Sequence, residues 1–297
     1  MTTAPTSPTP DLIRLASASE MIEEARRRQP SLFYRPHNNG QIQFHSSRHV
    51  IRAMFPGNGW GKTRAMGTEV AWWLDHAHPY QDTPTWPIQA IWFCAEFRQF
   101  EILRVQLETE CFSAGWVWNE QKHTYRWKGG DTMFVASYDR SWTHLQGINP
   151  DLILFDEQPP LPLWREMLQR RRGRRKTRFA VAATATEGES WMESEIYKPW
   201  VMHHEQQGLS IDRARDAQTH EFTWVWEHGG IDDNPGADAG DRRWYHTRTW
   251  ASAEEKRVRL FGGFGSYNGM PVFDRDALNL AFSRLAKGRI CSLVVSK

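Results

Sequence analysis

Short apolar runs alternate with amphipathic segments through the first two thirds of the chain. Each run ends at small or polar residues, as buried parallel strands do, and apolar residues recur every three or four positions in the segments between them. The predicted strands are residues 50–55, 90–95, 152–155 and 179–183, and the predicted helices between them include 62–76 and 97–111. This order predicts an α/β fold with a mostly parallel sheet flanked by helices.

The segments around these elements follow other patterns. Alternating apolar and polar positions over residues 116–136 predict a hairpin that turns at residues 128–131. After Glu187 mixed helix and strand signals predict a small lid-like subdomain. The expected regions are a tail and helix over 1–30, a core over 31–190, a lid subdomain over 191–273, and a linker or tail over 274–297.

Composition narrows the class of protein. The 297 residues include 37 Lys and Arg against 35 Asp and Glu, and 40% are hydrophobic, which is typical of a folded domain of nearly neutral charge. The N-terminus lacks an apolar signal segment, no apolar run is long enough to span a membrane, and the three cysteines suggest no disulfide framework. We therefore expect a soluble protein of a reducing cytoplasm, and the charge balance neither favours nor excludes a nucleic-acid partner.

A glycine-rich loop at residues 56–63 separates the strand at 50–55 from the helix that follows it. It reads Pro-Gly-Asn-Gly-Trp-Gly-Lys-Thr. In such phosphate loops the glycines let backbone N–H groups approach phosphate oxygens, the lysine reaches the terminal phosphates, and the next hydroxyl holds magnesium. Pro56 stands where the strict motif has glycine, so a glycine-rich turn without nucleotide is the alternative for this segment alone.

An acid pair, Asp156 and Glu157, follows the apolar run at 152–155. In nucleotide hydrolases such a strand delivers one carboxylate to magnesium and the next to the attacking water. Acidic strand ends are common on surfaces, but the spacing from the phosphate loop fits a site between neighbouring parallel strands. Thr184 and Thr186 end the next strand, where hydroxyls can sense a terminal phosphate. Together the three segments predict an NTP site with magnesium.

In this order the motifs resemble those of the ATPase domain of the large terminase subunit, the DNA-packaging motor of tailed bacteriophages and prophages. The likeness runs from about Tyr34 to Phe273 and implies a P-loop NTPase fold of the RecA-like (ASCE) class with a small C-terminal lid. The residues that it assigns to ATP binding are Gln41, Phe44, Gly57, Asn58, Gly59, Trp60, Gly61, Lys62 and Thr63. Gln41 would read adenine, with Phe44 as a packing partner.

The remaining chemistry is divided among a few residues. Lys62 would stabilise the β- and γ-phosphates, and Thr63 and Asp156 would hold Mg²⁺. Glu157 would orient and deprotonate the attacking water. By resemblance, Thr186 and Thr184 would couple loss of the γ-phosphate to lid movement.

Three positions depart from the family's pattern. Gly59, Gln146 and Glu187 stand where many members have arginine, arginine and proline, respectively. The family's arginine finger is therefore unassigned, and Arg140 is the nearest candidate. A finger from a neighbouring subunit raises turnover by roughly 10³ to 10⁵ in other NTPases, so we expect slow hydrolysis by a single chain.

A cluster of cations lies between the acid pair and the strand that ends at Thr184. Its members are Arg171, Arg172, Arg174, Arg175 and Lys176. Such a cluster can contact DNA phosphates, but a subunit interface and plain solvation are alternatives. No base-reading motif occurs, as suits a motor that moves DNA of any sequence, and no pair of neighbouring histidines has a convincing third metal ligand.

The motifs predict an Mg²⁺-dependent ATPase, and the resemblance implies that it moves double-stranded DNA into a procapsid in the host cytoplasm. By resemblance its partners are the portal protein, the small terminase subunit and further copies in a ring. A helicase-like ATPase and a nucleotide-binding assembly protein with little turnover are the alternatives. Only about 24 residues follow Phe273, so the nuclease domain that usually follows in this family is expected to be absent.

Overall fold

An eight-stranded mixed sheet forms the centre of the protein in a computed structural model, which describes residues 10–127, 129–140, 145, 147–170, 177–185, 190–206 and 223–264. The strands are β1 Ile51–Met54, β2 Gln89–Cys94, β3 Val117–Asn119, β4 Thr124–Arg126, β5 Thr132–Ser137, β6 Leu152–Asp156, β7 Arg178–Ala182 and β8 Thr223–Trp226. They lie in the order β3-β4-β5-β2-β6-β7-β1-β8. From β5 to β8 all neighbours are parallel, and β3, β4 and β5 form an antiparallel meander.

The parallel α/β prediction is confirmed. β1, β2, β6 and β7 occupy the four apolar runs, but the segment predicted as one hairpin contains three strands. The predicted turn joins β4 to β5, where the N–H of Trp127 donates to the carbonyl of Asp131 at 3.1 Å. A second turn joins β3 to β4 with His123 at a φ of 48°. The sequence offers no glycine there, which is why the pattern concealed this turn.

Helices cover both faces of the sheet. They are α1 Pro10–Arg28, α2 Asn39–Ser46, α3 Lys62–Leu74, α4 Phe97–Glu110, α5 Leu161–Gln169, α6 Lys198–Gln206, α7 Ala239–Thr247 and α8 Ala253–Phe261. The Asn-Asn-Gly sequence at residues 38–40 is typical of a turn, but the Asn38 side chain accepts from the N–H of Gln41 and caps α2. None of the described helices is long and apolar enough to cross a bilayer.

Alternate side chains of the central strands enter two separate cores. Met54, Trp92 and Leu154 face a core that includes residues of α3 and α4. Their neighbours Phe93 and Phe155 face a second core that includes residues of α5. Burial on both faces explains why these strands are continuous apolar runs in the sequence.

A buried polar cluster around Glu69 ties α2, β1 and α3 together. One carboxylate oxygen of Glu69 accepts from Arg52 at 2.6 Å and from the Trp73 indole at 3.0 Å. The other lies 2.7 Å from His45 Nδ1 and 3.1 Å from His78 Nε2. Burial opposes ionisation of Glu69, but Arg52 and the histidines hold its pKa well below the usual value. Removing one partner of such a pair typically costs about 3–5 kcal/mol.

Candidate functional site

The phosphate loop connects β1 to α3 at the carboxyl edge of the parallel strands. Gly59 and Gly61 have φ values of 74° and 96°, a backbone region that residues with a side chain rarely adopt. Gly61 precedes α3 without a side-chain cap. The first-turn amides of α3 therefore have no capping side chain, and together with the helix dipole they suit an anion.

Lys62 is the first residue of α3 and curls back over the loop. Its ammonium donates to the carbonyls of Pro56 at 2.8 Å and Gly57 at 2.9 Å. Burial lowers the pKa of Lys62 to about 8, against the opposing effect of the two acids Glu157 and Asp156. The cation is thus held at the loop, within the electrostatic field of the acid pair.

The acid pair ends β6 beside β7. The N–H of Glu157 donates to the carbonyl of Ala182 at 2.8 Å, and Glu157 has a φ of 70°. This left-handed conformation is costly for a residue with a β-carbon and is typical of functional sites. Its carboxylate accepts from the N–H of Thr184 at 3.0 Å. The hydroxyl of Tyr138 lies 3.1 Å and 3.0 Å from the carbonyl oxygens of Asp156 and Glu157, to which it donates.

Asp156 is poised to lose a proton when a cation binds. Burial, followed by the charge of Glu157, raises the pKa of Asp156 from 3.8 to about 7, and Lys62 only partly offsets this. A buried carboxyl that Lys62 only partly compensates is what bound Mg²⁺ would relieve, and Thr63 borders the cavity above the phosphate loop. The oxygen donors of Thr63 and Asp156 therefore fit a magnesium ion.

Thr184 connects the strand end to the phosphate loop. Its hydroxyl donates to the side-chain oxygen of Asn58 at 3.1 Å, while its N–H binds Glu157. Thr186, named beside it in the sequence, lies outside the described residues. The same is true of Gln146 and of the cation cluster at 171–176.

A cavity of about 440 Å³ opens above these groups. It is lined by His37, Asn58, Gly59, Gly61, Lys62, Thr63, Arg64, Gln106, Glu110, Glu157, Thr184, Asn234, Gly236 and Tyr245. Of these, His37, Arg64, Gln106, Glu110 and Tyr245 were not selected from the sequence. No motif singles them out, because they come from four separate places in the chain, with Gln106 and Glu110 together on α4, and meet only in the fold.

Gln41 and Phe44 lie beneath the loop, outside the cavity lining. The Gln41 amide donates to the Trp60 carbonyl at 3.1 Å and accepts from the His37 N–H at 2.7 Å, so it braces the loop from below. The Phe44 ring is fully buried against Trp224. The ring has no exposed surface and does not line the cavity, so a part for Phe44 in adenine binding stays a prediction.

The segment after β8 holds the phosphate loop from the outside. The carbonyls of Gly229 and Arg259 accept from the N–H groups of Gly57 and Asn58, each at 2.7 Å. The Asn234 amide donates to the Gly59 carbonyl at 2.7 Å. A β-carbon at Gly57 would lie 2.5 Å from the Arg259 carbonyl oxygen, so this approach requires glycine. Asn234 lies in the segment predicted as the lid subdomain, but its contact with the loop was not predicted.

Arg140, the candidate arginine finger, lies away from the nucleotide cavity. Its guanidinium is 5.7 Å from the ring centre of Phe97, and it borders a different cavity from the one above the phosphate loop. The structure therefore does not bring Arg140 to the nucleotide cavity of its own chain.

The fold has solved relatives. The ATPase domain of the large terminase of Thermus phage P74-26 superposes with a TM-score of 0.56 at 19% identity, over 77% of this chain and 94% of that one. The large terminase of another thermophilic bacteriophage, in complex with ADP, gives 0.53 at 14% identity, over 80% and 56%. A different crystal form of that second protein gives 0.52 at 15% identity, over 82% and 57%. At these identities the likeness shows the fold.

The family is shown by the sequence comparison. No curated protein sequence matches the chain. The family model described as "Terminase large subunit, T4likevirus-type, N-terminal" matches residues 54–280. This range contains the phosphate loop from Pro56, the acid pair and Thr184, and it extends over more than half of the chain. The chain belongs to this family of terminase large subunits.

Proposed function

We propose that the chain is the Mg²⁺-dependent ATPase motor of a DNA-packaging terminase, which couples ATP hydrolysis to translocation of double-stranded DNA into a procapsid. One observation carries the proposal. Thr184, which follows β7, donates to both the Glu157 carboxylate and the Asn58 side chain. One hydrogen-bonded unit therefore contains Glu157 of the acid pair, the end of β7 and the phosphate loop. A group that senses phosphate and also holds the catalytic acid is what a motor requires.

Each residue of the unit has a separate task. Lys62 exchanges the carbonyls of Pro56 and Gly57 for the β- and γ-phosphates. Glu157 accepts the proton of the attacking water and aligns it with the γ-phosphate. Thr63 and Asp156 would hold Mg²⁺, which neutralises charge on the phosphates when bound. The N–H of Thr184 donates to the Glu157 carboxylate and so fixes its direction.

Coupling follows from the contacts of the loop with the segment after β8. The Gly59 carbonyl accepts from Asn234, and the N–H of Asn58 donates to Arg259. Arg259 lies in α8, and Arg242 of α7 donates to the carbonyl of Asn234 at 2.9 Å. A change in the loop on loss of the γ-phosphate would therefore reach both helices through hydrogen bonds. Double-stranded DNA, the portal protein, the small terminase subunit and further copies in a ring are the partners that this function requires, and the host cytoplasm is the place where they meet.

The test is Glu157→Gln in the full chain. Phosphate release should fall by at least about a hundredfold, the usual scale for a general base, whereas binding of a fluorescent ATP analogue should stay unchanged. Glu101→Gln, an exposed residue of α4, is the matched control. Hydrolysis at the wild-type rate by Glu157→Gln would remove Glu157 from this role.

The same assay separates the alternatives. A nucleotide-binding assembly protein would bind the analogue but release no phosphate with or without double-stranded DNA. Lys62, which donates to the loop's own carbonyls, is the observation that keeps this alternative open. A helicase would displace a strand from a partial duplex, and a packaging motor would not.

A further inference from the structure

A second concave surface, here named the basic groove, lies beside the meander. It has a volume of about 520 Å³, and its lining includes Phe97, Lys122, Thr124, Arg126, Ser137 and Arg140. Among the described residues it shares no lining side chain with the nucleotide cavity. The nucleotide site therefore does not account for it.

The charged side chains of the groove are all basic. Lys122, Arg126 and Arg140 are exposed, and none of them has an ion-pair partner within the described ranges. Of the acids that flank them in sequence, Glu120 is engaged by Arg104 and the Trp118 indole, and Asp139 is not part of the lining. Three uncompensated cations around one concavity favour an anion.

Two hydroxyl groups add a second, independent observation. Thr124 and Ser137 line the groove and are only 2% exposed. Neither hydroxyl has a hydrogen-bond partner among the described residues. A buried hydroxyl without a partner is uncommon and costs roughly 1–3 kcal/mol, so the lining of the groove includes polar groups that the described residues leave unsatisfied.

We propose that the basic groove binds a backbone phosphate of double-stranded DNA, an inference that rests on the proposed function. The cations come from the turn between β3 and β4, from β4 itself and from the segment after β5, so they surround an open surface rather than enclose a small pocket. This suits a polymer that passes by, and charge and hydroxyl contacts carry no sequence preference.

The position of the groove also links it to hydrolysis. Ser137 ends β5, and the next residue is Tyr138, whose hydroxyl donates to the carbonyls of Asp156 and Glu157. DNA held at the end of β5 is thus one residue away from the group that holds the acid pair. Bound DNA is expected to raise the rate of ATP hydrolysis through this contact.

The experiment removes two cations of the groove from the full chain by the double substitution Lys122→Ala and Arg126→Ala. Arg140 is left in place because it was considered for hydrolysis. The control is Arg26→Ala with Arg27→Ala, which removes the same charge from exposed positions of α1. Binding of a labelled 30-base-pair duplex, chosen as about three helical turns, is followed by fluorescence anisotropy over a series of salt concentrations.

The groove variant should bind the duplex about tenfold more weakly at low salt. Its plot of log affinity against log salt should lose about 2 units of slope, one for each phosphate contact removed. Stimulation of phosphate release by DNA should fall with it, whereas binding of the ATP analogue and DNA-free phosphate release should match wild type. The α1 control should behave as wild type in every assay.

Equal affinity and slope in the groove and control variants would overturn the proposal. Binding of inorganic phosphate that depends on Lys122 and Arg126, without any change in duplex binding, would assign the groove to a free anion and overturn it too. Duplex binding is measured without ATP, so this result stands even if Glu157→Gln shows that the proposed hydrolysis is wrong.

Discussion

Glu157 occupies the left-handed region of backbone conformation with a φ of 70°. It stays there because its N–H donates to the Ala182 carbonyl and its own carbonyl accepts from Tyr138. These bonds turn the chain sharply after β6, so that the carboxylate meets Thr184 rather than continuing along the strand. The backbone conformation of Glu157 thus lowers the stability of the fold but directs the Glu157 carboxylate towards Thr184.

The free-energy cost of the left-handed conformation at residue 157 can be measured by comparing Glu157→Gly with Glu157→Ala. Both variants lose the carboxylate, and neither should hydrolyse ATP, but only glycine relieves the left-handed conformation. The glycine variant should exceed the alanine variant in free energy of unfolding by about 1 kcal/mol. Urea denaturation of the nucleotide-free chains measures the difference. An alanine variant of equal or greater stability would show that the conformation at 157 carries no strain.

If Asp156 holds magnesium as proposed, the affinity for the ion is expected to depend on pH. Its pKa of about 7 in the free chain means that the carboxyl must lose a proton before it can bind the ion. The affinity for Mg²⁺ with nucleotide should therefore fall by up to about tenfold for each pH unit below 7, and should level off above it. Calorimetry at pH 6.5 in two buffers of different ionisation enthalpy should detect the released proton. Asp156→Asn should bind without that release.

The effect of Asp156 on folding stability changes with pH in the opposite direction to its effect on magnesium affinity. Because the folded pKa of about 7 exceeds the unfolded value of 3.8, the free chain holds this proton more tightly when folded. The contribution of Asp156 to stability is therefore full below pH 3.8 and is lost as the pH rises through about 7. Bound Mg²⁺ would remove this penalty at neutral pH.

At the scale of elements, the segment after β8 acts as a brace for the phosphate loop. Asn234 supplies the side-chain contact of that brace through the Gly59 carbonyl. Asn234→Ala should leave the fold intact and weaken binding of the ATP analogue about fivefold, the equivalent of one hydrogen bond of about 1 kcal/mol. Asn119→Ala, at the end of β3, removes a comparable side-chain contact, the one with the N–H of Lys122, at the opposite side of the sheet. Equal affinities in the two variants would show that the brace does not order the loop.

The sequence predicted the elements whose pattern comes from burial alone. β6 is apolar on every residue before Asp156 because both of its faces lie in a core, and no tertiary information is needed to see it. The sequence pattern did not predict the turn before β4, because the residue with a positive φ there is His123 rather than glycine or asparagine. It did not predict α2 because Asn38 signals both a turn and a helix cap, and only the structure decides between them.

The candidate site also contains some residues that the sequence could predict and others that it could not. Lys62, Thr63, Asp156 and Glu157 could be named because their chemistry requires fixed spacings within one loop or one strand end. The full burial of Phe44 could not be predicted, since a pattern cannot tell which face of α2 turns towards the core. Tyr245 and His37 could not be found at all, because they border the cavity only through the packing of distant segments.

At the scale of the whole molecule, the one arginine that lines the nucleotide cavity among the described residues already has partners. This arginine is Arg64. Its guanidinium pairs with Glu110 at 3.2 Å and lies 5.7 Å from the ring centre of Tyr34. Arg64 is therefore committed to its own chain, and a further arginine for the transferred phosphate is expected from a neighbouring subunit, as the family resemblance implies.

Turnover per chain should then rise with protein concentration, because only assembled chains share an arginine. Adding an excess of Lys62→Ala chains to dilute wild-type protein should raise the wild-type rate, since the variant cannot hydrolyse ATP but can still offer its arginine to a neighbour. The double variant Lys62→Ala, Glu157→Gln should stimulate equally well. Phosphate release measured across a hundredfold range of concentration gives the result. A turnover number that stays constant over that range, and is unaffected by the added chains, would mean that a single chain completes its own site.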